Sequence, residues 1–265
     1  MDGPFPQDYA DRFGGLARLY GHRGLHQLRR AHVCVIGVGG VGSWTVEALA
    51  RSGLGALTLI DLDDVCITNV NRQLPALDGT VGRPKIAVLA ERMRLIHPAC
   101  QLTLVPDFVT PNNLAKLLVG PFDAIVDGVD RTGIKAAIIA HAHQSGQPVV
   151  TVGGAGGRRD PTAVRRSDLS LSVGDLLLKG VRKRLRRDHG FPKGEGQSFG
   201  VSAVYSAEPQ VFPWADGTCR AEAEEGSSLR LDCAAGFGAA GFVTGAFGFA
   251  AAAAAIQYIV RQPSA

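Results

Sequence analysis

Residues 32–61, which read HVCVIGVGGVGSWTVEALARSGLGALTLID, decide the fold of this chain. They open with an apolar, β-branched run at 32–38, which predicts a buried strand. Glycines follow in a G-x-G-x-x-G pattern, residues 43–52 have the apolar spacing of a helix, and a second apolar run at 56–60 ends on Asp61. A strand, glycines, a helix and an acid in this order predict a nucleotide site.

Each part of this unit has a physical role in holding a phosphate. Gly37, Gly39 and Gly42, with Gly40 between them, let backbone approach a phosphate closely, and the helix start offers unpaired N–H groups. Asp61, at the tip of the second strand, can accept hydrogen bonds from ribose hydroxyls. A tight strand–helix turn without a ligand is the weaker interpretation, because all four features are in register. The glycine pattern alone favours NAD or FAD as readily as ATP.

Strands and helices alternate through residue 152, which predicts an α/β fold with a doubly wound, mostly parallel, Rossmann-like sheet. Ligands of such sheets bind at the carboxyl ends of the strands, where Asp61, Asp127, Asp130 and the glycines of 153–157 are expected. The sequence offers no clean linker, so we expect one domain over residues 1–265. That domain has a nucleotide-binding core at 10–157 and an irregular C-terminal part at 158–265.

The composition indicates a soluble globular protein, with 46% hydrophobic and 20% charged residues and a net charge of +4. Five scattered cysteines form no C-x-x-C pair, which predicts a reducing, cytoplasmic setting and no structural zinc site. Cys66 and Cys233 are predicted to be inert thiols. Residues 234–260 are uncharged and exceed the roughly 20 residues that span a bilayer. Their Ala and Gly content favours a buried helix, with membrane association as the minor alternative.

A second group of residues suits chemistry at an α-phosphate: Asn69, Arg72, Gln73, Lys85 and Asp130. Arginine and lysine neutralise phosphate charge while pyrophosphate leaves. A carboxylate at a strand end can hold Mg²⁺, which bridges phosphates. An enzyme of hydride transfer needs none of these beside its glycine loop. The alternative for Asp130 alone is that it caps the helix that follows it.

Four motifs together resemble the ubiquitin-activating-enzyme-like adenylyltransferases of the ThiF/MoeB type. They are the glycines of 37–42, the run DLDDVCITNVNRQ at 61–73, GRPK at 82–85 and DGVD at 127–130. The resemblance covers roughly residues 10–157 and is specific, because a lone glycine pattern would not bring the other three motifs with it.

The resemblance implies an ATP site in which Asp61 holds the ribose. Arg72 and Lys85 would act on the phosphates as catalytic residues, together with Asp130, which would bind magnesium. The remaining residues implied to contact or shape the nucleotide site are Gly37, Gly39, Gly40, Gly42, Asp63, Asn69, Gln73 and Asp127.

Further motifs resemble one branch of this superfamily, the tRNA threonylcarbamoyladenosine dehydratase family, over nearly the whole chain. They include RFGGLARLYG at 12–21, VGGAGGRRDPT at 152–162 and DCAAGFGAAGFVTGAFGF at 232–249. The resemblance implies ATP-dependent cyclisation of the threonylcarbamoyl group on the tRNA adenosine beside the anticodon. The threonyl carboxylate would be adenylated, and pyrophosphate and AMP would be released. An intramolecular nucleophile then needs no enzyme thiol.

The same resemblance implies partners and leaves some points open. A homodimer is expected, a sulfur-transfer or carrier partner is unproven, and a monovalent cation that orders the C-terminal part is an open option. The superfamily commonly sends an N-terminal arginine into the partner subunit's ATP site. Here glycines occupy the corresponding region, so Arg12 or Arg18 would have to serve. Arg131 also departs from the pattern, because a small polar residue usually follows the aspartate.

Basic residues in the C-terminal part predict a surface that follows tRNA phosphates. A solvated helix face is the alternative interpretation. The residues are Arg158, Arg159, Lys179, Arg182, Lys183, Arg186 and Arg187. Two other functions stay open at this point: an adenylyltransferase for a ubiquitin-like sulfur carrier, and a nucleotide-binding adaptor that has lost catalysis.

Overall fold

The computed structural model describes residues 3–194, 196–224 and 237–260. Seven strands form one sheet in the order β3-β2-β1-β4-β5-β7-β6, and all neighbours are parallel except β6 and β7. These strands are β1 (His32–Ile36), β2 (Ala56–Ile60), β3 (Gln101–Val105), β4 (Ala124–Asp127), β5 (Val149–Val152), β6 (Val164–Asp168) and β7 (Ser202–Ser206). A separate two-stranded hairpin pairs β8 (Phe212–Pro213) with β9 (Cys219–Arg220).

Eight α-helices connect and flank the strands in the described part of the chain. They are α1 (Gln7–Phe13), α2 (Ala17–Arg30), α3 (Gly40–Arg51), α4 (Lys85–Ile96), α5 (Leu114–Leu117), α6 (Thr132–Gln144), α7 (Leu176–Asp188) and α8 (Gly241–Ile259). One core cluster contains Leu49 of α3, Leu89 of α4 and Phe247 of α8, and a second contains Ile139 of α6 and Val181 of α7. Helices therefore cover both faces of the sheet, and the expected doubly wound α/β fold is confirmed.

The strand order changes direction between β1 and β4, which creates a crevice at the carboxyl edge. In the register, Ile36 of β1 lies opposite both Ile60 of β2 and Asp127 of β4. The loops that follow these three strands consequently begin at the same level. They carry the glycine motif, Asp61 and Asp130.

Helix α8 is the apolar segment whose location the sequence left open. Among the described residues it is the one helix long and apolar enough to cross a membrane, and 56% of its most apolar window is buried. It packs on α3 so closely that a Cβ at Gly248 would lie 2.6 Å from Cβ of Trp44. Such small-residue contacts build a protein core as readily as a membrane bundle. Residues 234–236 of the expected apolar stretch lie outside the described residues.

β6 was not predicted from the sequence. Among the described strands it pairs only with β7, at the edge of the sheet, and its exposed Arg165 and Arg166 obscure the apolar signal of a strand. β7 ends at Ser206, and strand pairing resumes in the hairpin.

Candidate active site

The glycine loop between β1 and α3 is folded so tightly that backbone atoms occupy the space that side chains would need. Gly37 has a φ of 78°, which favours glycine. A Cβ at Gly42 would lie 1.9 Å from the carbonyl oxygen of Gly37, and one at Gly128 would lie 2.7 Å from that same oxygen. Helix α3 begins at Gly40 without a side-chain cap. Its first N–H groups therefore remain available to a phosphate.

Asp61 is held in place by the backbone on both of its carboxylate oxygens. Val38 N–H donates to Oδ2 at 2.7 Å, and Asp63 N–H donates to Oδ1 at 2.8 Å. Burial raises the pKa of this carboxyl, while the two N–H donors act in the opposite direction. Each oxygen keeps a further lone pair, so the carboxylate can also accept ribose hydroxyls.

Lys85 is held in place by an ion pair with Asp63. Its Nζ lies 2.8 Å from Asp63 Oδ2, and its own N–H donates to the Asp63 carbonyl at 3.0 Å. The lysine is buried, whereas Asp63 is exposed. Lys85 is the first residue of α4, so its ammonium is fixed at the cleft edge rather than free in solvent.

Asn69 and Gln73 shape the loop that faces the glycines. Asn69 Oδ1 accepts the Cys66 N–H at 3.0 Å, and the Asn69 carbonyl accepts the Gln73 N–H at 2.9 Å. Gln73 is buried, and its Oε1 has no hydrogen-bond partner in the described chain. Its Nε2 lies 3.7 Å from the position of a Cβ at Gly39. An unsatisfied buried acceptor beside a phosphate loop is a ready contact for a polar ligand.

Arg72 is positioned through its main chain by two helices. Its carbonyl oxygen accepts the indole N–H of Trp44 from α3 at 3.1 Å and the hydroxyl of Thr244 from α8 at 3.0 Å. Its guanidinium donates from Nη1 to the Thr68 carbonyl at 2.7 Å. Trp44 and Thr244 could not be identified from the sequence, because residues about 30 and 170 positions apart meet only in the fold.

Asp127 does not lie open to the cleft, which corrects the expectation of a direct nucleotide contact. Its side chain is fully buried, pairs with Lys135 Nζ at 2.9 Å and accepts the Thr151 hydroxyl at 2.7 Å. Its Oδ1 accepts the Val129 N–H at 3.2 Å, which fixes the loop that leads to Asp130. Lys135 was missed, although a lone lysine in the otherwise apolar run GIKAAIIA at 133–140 was its signal.

Asp130 is exposed, and its carboxylate makes no hydrogen bond or ion pair within residues 3–194, 196–224 and 237–260. Helix α6 starts at Thr132 after an N-cap residue, Arg131, that makes no side-chain cap, so Asp130 does not cap it. No three His, Cys, Asp or Glu side chains in the described chain converge as a metal site. Magnesium typically takes one or two carboxylates together with phosphates and water, so a lone Asp130 fits that donor set.

The basic side chains of α7 form an open groove of about 820 Å³. A Cβ at Gly180 of α7 would lie 3.0 Å from Cγ2 of Thr132. Helix α7 therefore packs against Thr132, which lies two residues after Asp130. The groove therefore adjoins the loop at the end of β4. Its cationic residues are Lys179, Arg182, Lys183, Arg186, Arg187 and Lys193, of which Lys193 was not anticipated.

Arg158 lies outside this groove, which corrects its assignment to a phosphate-tracking surface. It is buried, Nη2 donates to the Gly174 carbonyl at 2.8 Å, and burial lowers its pKa. Arg159 is exposed, and its backbone N–H donates to Glu208 at 2.9 Å. Only Arg159 of this pair has a side chain that a polymer could reach.

Of the two N-terminal arginines, Arg12 lies away from the cleft of its own chain. Arg12 pairs with Asp8 at 2.9 Å and donates to the carbonyl of Ile96, at the far end of α4 from Lys85. Arg18 is exposed near the start of α2. A role for either residue in a partner's site stays a prediction.

Among the cysteines, Cys66 is exposed beside the cleft, and a hydrogen bond from the Thr68 hydroxyl lowers its pKa. Cys34 is fully buried. Cys233 lies outside the described residues.

Comparison with known proteins accounts for this arrangement. The ThiF family matches residues 14–265. The tRNA threonylcarbamoyladenosine dehydratase of Escherichia coli K12 is 48% identical over 96% of this chain and 95% of that protein, and the Haemophilus influenzae protein of the same name is 45% identical over 97% and 96%. A crystal structure of the Escherichia coli enzyme in complex with ATP covers 97% of both chains at 43% identity, with a TM-score of 0.86.

A likeness to sulfur-carrier activation is more distant. The molybdopterin-synthase adenylyltransferase of Escherichia coli is 29% identical over 51% of this chain. The glycine loop, the Asp61 and Lys85 positions and the matches over almost the full length agree with one another. The chain belongs to the ThiF family and, within it, to the tRNA threonylcarbamoyladenosine dehydratases.

Proposed function

We propose that this chain catalyses the ATP-dependent dehydration of threonylcarbamoyladenosine in tRNA, on the adenosine next to the anticodon. The observation that carries the proposal is the set of fixed polar groups at the crevice: Asp61, the Lys85–Asp63 pair, Gln73 and Arg72 around an uncapped helix start. This set suits a nucleotide that is consumed, and relatives that match nearly the whole chain have this activity by name.

The reaction proceeds by two substitutions. An oxygen of the threonyl carboxylate attacks the α-phosphorus of ATP, and pyrophosphate leaves. A nucleophilic atom of the same threonylcarbamoyl group then attacks the activated carbonyl carbon, loses its proton, and AMP departs with the original carboxylate oxygen. One oxygen and the balancing protons leave the substrate, which amounts to the loss of one water. Because the nucleophile is already tethered, no enzyme thiol is needed.

The residues of the chain act on charge and position. Asp61 holds the ribose, and the N–H groups at the start of α3 hold a phosphate. Lys85 and Arg72 neutralise the charge that develops on the departing pyrophosphate. Asp63 orients Lys85, and Asn69 shapes the loop around Gln73, which contacts the nucleotide. Asp127 contributes indirectly, because its carboxylate fixes the loop that presents Asp130.

Asp130 would hold Mg²⁺, together with oxygens from the nucleotide. The ion supplies additional positive charge to the phosphates when bound. A monovalent cation in the C-terminal part stays an expectation.

The tRNA would reach the cleft along α7. The cations of its groove, with Lys193, lie beside the Asp130 loop and suit a phosphate backbone, while Arg159 extends the positive surface. The proposed protein is a cytoplasmic homodimer in which α8 belongs to the protein core. The proposal includes no zinc site and no sulfur-transfer or carrier partner.

One assay tests this function against sulfur-carrier activation. The protein is incubated with ATP and tRNA bearing linear threonylcarbamoyladenosine, and nucleoside mass and AMP are measured. We expect the nucleoside to lose one water while AMP accumulates in equal amount. An unchanged nucleoside, combined with adenylation of a carrier's C-terminal glycine in parallel reactions, would reject the proposal in favour of the alternative.

A further inference from the structure

The hairpin of β8 and β9 rises at the same edge of the sheet as the cleft. β7 runs parallel to β5, so its carboxyl end faces that edge, and the hairpin follows after a short loop. Two contacts tie its base to the glycines after β5. Val211 N–H donates to the Gly157 carbonyl at 2.9 Å, and Gln210 Nε2 donates to the Gly156 carbonyl at 3.0 Å.

One side of this hairpin carries a stacked pair of planar side chains. The guanidinium carbon of Arg220 lies 3.8 Å from the ring centroid of Trp214, which is contact distance for stacked π systems. The indole N–H donates to the Glu222 carbonyl at 2.9 Å. The tryptophan is therefore fixed in orientation rather than free to rotate.

Arg220 is fixed as well, and its charge is balanced. Nη2 pairs with Asp216 Oδ2 at 2.6 Å, and Nε donates to the Thr218 hydroxyl at 3.2 Å. The side chain is nevertheless 46% exposed, so the guanidinium keeps an open face away from the tryptophan. A flat, oriented cation with no unbalanced charge is poorly suited to following phosphates. It is well suited to stacking.

We propose that the Trp214–Arg220 stack is a platform for an unpaired nucleobase of the substrate RNA, which stacks on the open face of the Arg220 guanidinium. Proteins that read single-stranded RNA loops place splayed bases on aromatic rings and arginine planes. The substrate adenosine lies in such a loop, and the platform stands at the edge where that adenosine must enter. This inference rests on the proposed function, and it assigns the hairpin a role in holding the loop rather than in chemistry.

The test uses the full-length enzyme with ATP and tRNA bearing linear threonylcarbamoyladenosine. Arg220→Ala and Trp214→Ala should each raise the KM for tRNA about tenfold, in the range that one base stack contributes, with kcat and ATP affinity unchanged. Arg220→Lys should raise the KM for tRNA as much as Arg220→Ala does, because lysine keeps the charge but lacks the planar group. Glu222→Gln, two residues after the hairpin, is the matched control, since only the backbone carbonyl of Glu222 holds the indole.

Two further readouts distinguish base stacking from a phosphate contact. The increase in KM for tRNA caused by Arg220→Ala should be the same at low and high salt. The increase caused by removing a phosphate contact would instead become smaller as salt rises. Trp214→Phe keeps an aromatic plane and should retain a KM near wild type even if its melting temperature falls. An anticodon stem-loop RNA should also quench the fluorescence of the wild-type protein more than that of Trp214→Phe.

A wild-type KM in Arg220→Ala, or full rescue by lysine, would overturn the platform while leaving the proposed function intact. A wild-type enzyme that does not dehydrate the modified tRNA would instead remove the proposed function itself.

Discussion

At the scale of single residues, Lys85 shows how the protein alone fixes a charge of the proposed nucleotide site. Its side chain is 7% exposed, and Asp63, which is 51% exposed, supplies the counter-charge. A buried ammonium with this partner loses little freedom when phosphate arrives, because its position is already fixed. The position of Arg72 is also fixed, because Trp44 of α3 and Thr244 of α8 donate to its carbonyl.

Removal of a charged side chain that we place beside the ATP phosphates should stop catalysis. We expect Arg72→Ala and Asp130→Ala each to lower AMP release in the presence of modified tRNA by at least about a hundredfold, since each removes a group that acts on developing phosphate charge. Asp107→Ala, at an exposed aspartate after β3, is the control and should stay near wild type. Robust AMP release by either cleft variant would reject the site assignment.

The buried Lys135–Asp127 pair leads to a prediction about stability. Lys135→Met leaves the Asp127 carboxylate buried without its counter-charge, so the free energy of unfolding should fall by about 3–5 kcal/mol. Lys135→Met combined with Asp127→Asn should recover much of that loss, because no buried charge then remains. Denaturant unfolding measures both. A single variant as stable as wild type would show that the pair is not the constraint that we infer.

Individual site residues differed in how far the sequence could predict them. The glycines and Asp61 belong to a local motif whose spacing brings them to the strand ends, whereas Lys85, at the start of α4, was implied by the family resemblance. Asp127 has the same local pattern as a cleft carboxylate, and only its partner eight positions later shows that it points into the core. The burial of Arg158 could not be predicted either, because two adjacent arginines in a sequence do not reveal which one is buried.

At the scale of elements, α8 links the C-terminal part to the nucleotide loop. Thr45 donates its hydroxyl to the Gly248 carbonyl at 3.1 Å, and Thr244 supports Arg72. The sequence predicted a small-residue helix but not its partner, because close packing requires a matching surface that only the fold supplies. The spacing between α8 and α3 should therefore affect both stability and ATP binding.

Two glycines of α8 allow a matched test of that spacing. A Cβ at Gly248 would meet Cβ of Trp44 at 2.6 Å, whereas a Cβ at Gly245 would lie an ordinary 3.8 Å from the Trp44 ring. Gly248→Ala should destabilise the protein by about 1–3 kcal/mol and weaken ATP binding. Gly245→Ala should be neutral or should stabilise by up to about 1 kcal/mol. Thermal unfolding and ATP titration distinguish them, and equal behaviour would contradict the close contact.

Helix α7 is the element that should account for the salt dependence of tRNA binding. Lys179→Ala and Lys183→Ala should each weaken tRNA binding and lower the slope of log affinity against log salt by about one, with ATP affinity unchanged. Arg94→Ala, at an exposed arginine of α4 on the other face of the sheet, is the control. If the slope of log affinity against log salt is unchanged in both α7 variants, the basic residues of α7 form a solvated helix face and not a tRNA contact.

At the scale of the whole molecule, the fold places the proposed sites of activation and RNA binding at one edge of the sheet. The glycine loop, Asp61 and the Asp130 loop follow β1, β2 and β4, while α7 and the β8–β9 hairpin approach from the side of β5 and β7. The alternation of strands and helices predicted this arrangement as far as β5. The later antiparallel edge and the hairpin follow no such regular pattern, so their contribution became visible only in the structure.

The central claim is that this cleft activates the substrate carboxylate by adenylation. It is tested most directly with tRNA whose threonyl carboxylate carries heavy oxygen, followed by mass analysis of the released nucleotide. If the carboxylate attacks the α-phosphorus, AMP should acquire one labelled oxygen for each cyclised nucleoside. Unlabelled AMP, or ADP formed together with labelled inorganic phosphate, would contradict the account.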